Sequence, residues 1–255
     1  MLEEKPKLEA INISHEYISK GKKNEVLREI NLKVYENEFV TIIGPSGCGK
    51  TTFLNILAGF IKPTQGKVFC DGKEVTGPGP DRGVVFQEDA VFPWLTVKEN
   101  IELGLIAKGI LKEKREKIVE HYIALVGLKG FEKALPKELS GGMKKRVDLA
   151  RAYAINPAVL LMDEPFGPLD AQTRSKMQDE LSRIWQNEKK TVLFVTHDIE
   201  EAIYLANKIV VFSSRPATIK KVINVNLPYP RQRNLIFKEE FIRLKEEIWR
   251  LVMEG

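Results

Sequence analysis

The segment Gly44-Pro-Ser-Gly-Cys-Gly-Lys50-Thr51 constrains this chain more than any other, because it satisfies the G-x-x-x-x-G-K-[ST] pattern in a strand-to-helix context. Residues 38–43 ahead of it form a nearly continuous apolar run, as expected of a strand buried on both faces, and residues 51–60 behind it form a helical run. Small residues let backbone N–H groups converge on phosphate oxygens, and the helix N-terminus adds its positive end. Gly44, Pro45, Ser46, Gly47, Cys48 and Gly49 are the expected cradle, with Lys50 as a point charge at the β- and γ-phosphates. Thr51 would hold Mg²⁺ through its hydroxyl, and Thr52 is placed to reach the α-phosphate. Cys48 is expected to be accessible when nucleotide is absent.

The rest of the chain supplies the sheet that such a loop needs. Residues 8–17 and 26–34 alternate apolar and polar like half-buried strands, and 66–70 and 73–75 flank the hairpin signal Asp71-Gly72. The character changes past Gln87. Thr96-Val-Lys-Glu99 matches a capping box, and Ile118, Val119, Tyr122, Ile123 and Val126 recur at helical spacing until Gly127. A mostly helical subdomain is therefore expected at residues 90–155. Strands return at 83–86, 158–162, 191–196, 208–212 and 219–226, in the βα alternation of a parallel sheet. The tail, 227–255, places Phe237, Phe241, Leu244, Ile248 and Leu251 on one helix face, to pack on the chain's own core or on a partner.

Composition excludes several classes. The 40 Lys and Arg residues are scattered among 35 Asp and Glu, so the net charge of +5 describes a mixed surface, and no nucleic acid is expected as a partner. Two cysteines give no disulfide framework and fit a reducing cytoplasm. No apolar run approaches the ~20 residues that cross a bilayer, and residues 1–7 are charged rather than signal-like. If the chain works in transport, separate subunits must supply the pore.

Four further segments carry chemistry. Val159-Leu-Leu-Met-Asp163-Glu164 is an apolar strand ending in two carboxylates, a costly arrangement unless the charges act. Leu139-Ser140-Gly141-Gly142-Met143 opens a helix; Ser140 is a good N-cap, and either a capped helix or a second phosphate-facing helix terminus accounts for it. The Lys144-Lys145-Arg146 run that follows suits a solvated helix start. Gln87 and His197 each end a strand; His15 and His121 have no comparable context and are taken as structural. Phe92 and Trp94, just after Gln87, could face a docking partner or fill the core.

In their order along the chain, Tyr17, the phosphate loop, Gln87, residues 139–143, residues 159–170 and His197 resemble the nucleotide-binding subunit of an ATP-binding cassette (ABC) transporter, over nearly the whole length. The resemblance implies a P-loop NTPase (RecA-like) α/β core with an N-terminal antiparallel β subdomain at 1–89 and 156–226, and an ABC-type helical subdomain at 90–155. All form one ABC ATPase domain. It also implies roles. Tyr17 stacks on adenine; Asp163 binds Mg²⁺ with Thr51; Gln87 reaches the metal or the attacking water. Glu164 polarises that water, and His197 contacts the γ-phosphate; with Gln87 and Lys50 they form the catalytic set. Ser140, Gly141 and Gly142 are the signature that meets ATP held by a second copy, with Asp170 at the boundary. Met143 departs from the usual glutamine of that signature. The implied cofactors are ATP and Mg²⁺, and the implied partners are a second copy in the ATP-bound state, transmembrane permease subunits and, indirectly, a solute-binding protein. That puts the chain at the cytoplasmic side of the membrane. Segments Phe92-Pro-Trp-Leu-Thr-Val-Lys-Glu-Asn-Ile101 and Arg215-Pro-Ala-Thr look like the nitrate, sulfonate, taurine and bicarbonate importer group. Repair, chromosome and translation ATPases of the same class carry a long coiled coil or paired cassettes, which this chain lacks.

Overall fold

Strand β3 (Phe39–Ile43) is buried at every residue, and its alternation decides what lies on either side of it. Phe39 and Ile43 enter one hydrophobic core, whereas Val40 and Ile42 enter the other. The two strands that follow it in the sheet repeat the split: Val192 and Phe194 against Leu193 and Val195 in β8 (Thr191–Val195), Leu160 and Met162 against Val159 and Leu161 in β7 (Val159–Asp163). A sheet covered on both faces accounts for continuous apolar strands without polar alternation.

The computed structural model describes residues 5–19 and 21–254, so residues 1–4 of the charged N-terminal stretch lie outside it. Its central sheet has six strands in the order β10-β9-β3-β8-β7-β6, where β6 is Arg82–Val85, β9 is Lys208–Phe212 and β10 is Ile219–Asn224. All neighbours are parallel except β10, which runs antiparallel to β9. The second sheet is antiparallel, in the order β2-β1-β4-β5, from β1 (Leu8–Ser19), β2 (Lys22–Val34), β4 (Gln65–Cys70) and β5 (Lys73–Glu74). The β1–β2 hairpin is longer than the sequence pattern indicates, because its polar tip pairs through Ser19 and Lys22.

Helix α1 (Lys50–Ala58) packs between the two sheets through Phe53, Leu54, Ile56 and Leu57. Truncating a side chain such as Phe53 to Ala would cost about 3–5 kcal/mol. Gly59 stops the helix at φ 82°, and a Cβ there would lie 2.3 Å from the Gly77 carbonyl.

The other face carries α2 (Val97–Ala107), α3 (Lys112–Leu125) and α4 (Gly141–Ala154), then α5 (Ala171–Glu188), α6 (Ile199–Leu205) and α7 (Glu239–Met253). The capping box at α2 forms as expected: the Thr96 hydroxyl accepts from the Glu99 N–H at 3.3 Å and the Glu99 carboxylate from the Thr96 N–H at 2.8 Å. Tail residues Phe241 and Ile248 are buried in the chain's own core. Phe237 does not join them. It ends a short 3-10 turn and is 77% exposed, because Lys238 is extended (ψ 144°) and breaks the helical face before α7 begins.

Candidate nucleotide site

The phosphate loop leaves β3 and enters α1 as its sequence demands. Gly49 has φ 124°, and a Cβ there would come within 2.8 Å of Val26, so β2 presses on the loop where only glycine fits. Lys50 is 5% exposed, and its ammonium donates to the Gly44 and Pro45 carbonyls at 2.9 and 3.0 Å. Gly44 packs on Phe212 and is buried.

An open cleft of about 500 Å³ lies over this loop, lined by Tyr17, Val26, Ser46, Gly47, Gly49, Lys50, Thr51, Thr52, Gln87, Glu164 and Arg215. Tyr17 is 41% exposed and meets the buried His15 ring edge-on at 4.7 Å. The Thr51 hydroxyl donates to the Asp163 carboxylate at 3.2 Å. Burial lifts the Asp163 carboxyl above its ordinary range, against the lowering effect of the Thr51 hydrogen bond. A carboxylate held at this cost beside a hydroxyl, facing a phosphate cradle, fits a hard divalent cation.

Glu164 follows with φ 41°, a left-handed backbone unusual for its residue type, and its N–H donates to the Val195 carbonyl at 2.9 Å. The turn aims its carboxylate at the end of β8. There the Nδ1 of His197 lies 2.9 Å from the Glu164 Oε2. His197 is held in place by its neighbours: Thr196 donates to the buried Glu201 carboxylate, which also accepts from Gln178 at 2.9 Å, and Asp198 caps α6.

Nine sequence candidates thus gather in one cleft, with Asp163 reached through Thr51 and His197 through Glu164. Ser140, Gly141, Gly142 and Asp170 do not line it. Ser140 caps α4, accepting from the Met143 N–H at 3.3 Å, and Asp170 caps α5 through the N–H groups of Gln172 and Thr173 at 3.1 and 3.0 Å.

Two expectations are corrected. Cys48 is 1% exposed beneath the loop, with its thiol pushed up by burial, so it is not accessible; the loop turns its side chain inward onto Gly44. Lys145 is not solvated but 1% exposed, because its ammonium reaches back to carbonyls of residues 86–88. Arg215 was missed as a cleft residue. It arrives from the β9–β10 connection, and its guanidinium donates to the Glu25 carbonyl at 3.3 Å. The pair Phe92 and Trp94 divides: Phe92 is half-buried, whereas Trp94 is 71% exposed.

A glycine-rich loop between a parallel strand and a helix, with carboxylates and a histidine at the ends of the neighbouring strands, defines a P-loop nucleoside triphosphatase. The family model described as ABC transporter matches residues 27–167. An aliphatic sulfonates import ATP-binding protein of Bacillus cereus is 48% identical over 240 residues, 94% of this chain and 93% of the relative. A nitrate import ATP-binding protein of Synechocystis is 44% identical over 247 residues, 94% and 93% of the two chains. The dimeric structure of MJ0796, a bacterial ABC transporter cassette, superposes with a TM-score of 0.75 at 33% identity, over 87% of this chain and all of that one. A further structure of that cassette holds ADP and Pi in a post-hydrolysis state. The chain belongs to the ABC transporter family and is one of its ATPases.

Proposed function

We propose that this chain is the ATP-hydrolysing subunit of an import system, in which two copies close around two MgATP and drive a separate membrane permease. The solute would be nitrate, a sulfonate, taurine or a related small solute, of which the names of its relatives carry aliphatic sulfonates and nitrate. The observation that carries the reading is a division of labour. The cleft gathers Tyr17, the phosphate loop, Gln87 and Glu164, whereas Ser140 and Asp170 lie outside it. In the composite site, Ser140, Gly141 and Gly142 of one copy face the γ-phosphate bound by the other.

Within one half-site, backbone N–H groups of residues 44–49 and Lys50 bind the phosphates, and Thr52 reaches the α-phosphate. Tyr17 stacks on adenine, giving affinity with little base selectivity. Thr51 and Asp163, with Gln87, would hold Mg²⁺, which offsets phosphate charge when bound. The Glu164 carboxylate takes a proton from the attacking water, and His197 orients that carboxylate and contacts the γ-phosphate. Trp94, exposed beyond Gln87, is offered to the permease. The chain would then sit on the cytoplasmic face of the membrane, and no helix of the described residues is long and apolar enough to cross it.

A shared site makes turnover per subunit rise with protein concentration as dimers form. Specific activity that stays flat while sedimentation records passage from monomer to dimer would sink the composite site.

A further inference from the structure

The loop that follows Gln87 is held by side chains from a helix nearly 60 residues further on. Lys145 of α4 is 1% exposed, where an unpaired ammonium would lose its hydration for nothing. All three of its protons are spent on the loop: Nζ donates to the carbonyls of Phe86, Gln87 and Glu88 at 3.1, 3.2 and 3.4 Å. The carboxylates of Asp89 and Asp148, each 3.7 Å away, balance its charge. Asp148 also accepts from the Ala90 N–H at 3.2 Å, and Arg151 donates to the Ala90 carbonyl at 2.6 Å. Positions 145, 148 and 151 form one stripe on α4 at a spacing of three, and the N-cap of that helix is Ser140.

Filling space alone would need an apolar side chain, not a cation whose donors meet three successive carbonyls. We propose that Lys145 is a positioning residue for Gln87. It fixes the Gln87 backbone to α4, so that the amide in the nucleotide cleft and the Ser140 terminus move as one body. A nucleotide sensed by Gln87 in one half-site thereby sets the approach of Ser140 to the other copy's nucleotide. This coupling rests on the composite site proposed above.

The test compares Lys145→Met, which keeps an unbranched chain one atom shorter and loses every donor, with Lys145→Gln, which keeps two N–H donors without charge. Expected for Lys145→Met are an ATP dissociation constant within about twofold of the parent's and a kcat lower by about tenfold or more, the scale that a small misplacement of a positioned group produces. Lys145→Gln restores most of that kcat. Unchanged turnover in Lys145→Met, parallel losses of affinity and melting temperature, or no rescue by Gln would each overturn the assignment. Should Lys145→Met fail to fold, hydrogen exchange on the parent chain decides. Amides 86–92 and 141–147 change protection together on adding MgATP; a change confined to one segment overturns the coupling. Failure of the composite site is read separately, as a Glu164→Gln protein that stays monomeric in MgATP.

Discussion

The Nδ1 of His197 and the Oε2 of Glu164 stand 2.9 Å apart, although the two residues follow different strands, β8 and β7, which lie side by side in the sheet. Parallel neighbours deliver their C-terminal ends to one edge, and ligands of such sheets bind beyond that edge. The left-handed backbone at Glu164 turns its carboxylate along the edge toward the histidine. If this pair runs the chemistry, Glu164→Gln lowers kcat by about 10²–10⁴-fold, the usual worth of a general base. His197→Ala falls by a comparable factor, and both variants keep ATP affinity. Single-turnover hydrolysis with a separate binding measurement checks this; a Glu164→Gln protein that still turns over rejects the carboxylate as base.

Asp163 sets stability against binding. Burial raises its pKa, so the ionised carboxylate costs more in the folded chain than in the unfolded one. Without nucleotide, Asp163→Asn should melt about 2–4 °C higher, the shift that ~1 kcal/mol produces in a domain of this size. The gain shrinks as pH falls through the raised pKa, where the native carboxyl takes up its proton. The same variant loses hydrolysis and the stabilisation given by MgATP. Melting curves from pH 7.5 downward, with and without MgATP, decide it; an apo variant that melts below the parent contradicts the assigned cost.

How far the sequence reached depended on the range of each interaction. The phosphate loop, the Thr96 capping box and the Ser140 cap were legible because each is closed within a few residues by local backbone geometry. The burial of Lys145 was not, since its partners lie 57 to 59 positions away and its neighbours Lys144 and Arg146 share its charge. The place of Arg215 in the cleft was hidden for the same reason, its backbone partner Glu25 being 190 positions distant. Cys48 failed differently. The motif fixes where the chain runs, but not whether a side chain in the loop points toward phosphate or core.

Arg215 lines the cleft together with Tyr17, so its guanidinium should contribute to nucleotide binding. Arg215→Ala is expected to weaken ATP affinity by about 5- to 10-fold, roughly the 1 kcal/mol net worth of one ordinary hydrogen bond. Turnover at saturating ATP should stay near the parent's. Titration with a fluorescent ATP analogue beside steady-state kcat separates the two effects, and an unchanged dissociation constant removes Arg215 from the site.

The buried thiol of Cys48 should alkylate far more slowly than an exposed cysteine, with or without MgATP. Burial removes both access and thiolate. Rates of iodoacetamide labelling in the two conditions, with urea-unfolded protein as reference, provide the comparison. Fast native labelling that MgATP suppresses would mean that the loop opens in solution.

His15 gives the fold an acid-sensitive point under Tyr17. It is 8% exposed, neither ring nitrogen has a hydrogen-bond partner among the described residues, and burial lowers its pKa against the raising influence of Glu16. Folding therefore disfavours the protonated ring, while the unfolded chain takes up a proton near the ordinary histidine value of about 6.5. The resulting stability is complete above that pH and is lost as pH falls toward the depressed folded value. His15→Phe keeps an aromatic edge against Tyr17 and cannot protonate. Between pH 7.5 and 5.5 the variant should lose less stability in urea than the parent, by at most about 1.4 kcal/mol, since only about one pH unit of that window lies below the unfolded value. Raised carboxyl groups such as Asp163 and Glu201 push the other way in both proteins, so the difference between them isolates His15. Equal pH slopes for the two proteins would show that His15 titrates alike folded and unfolded.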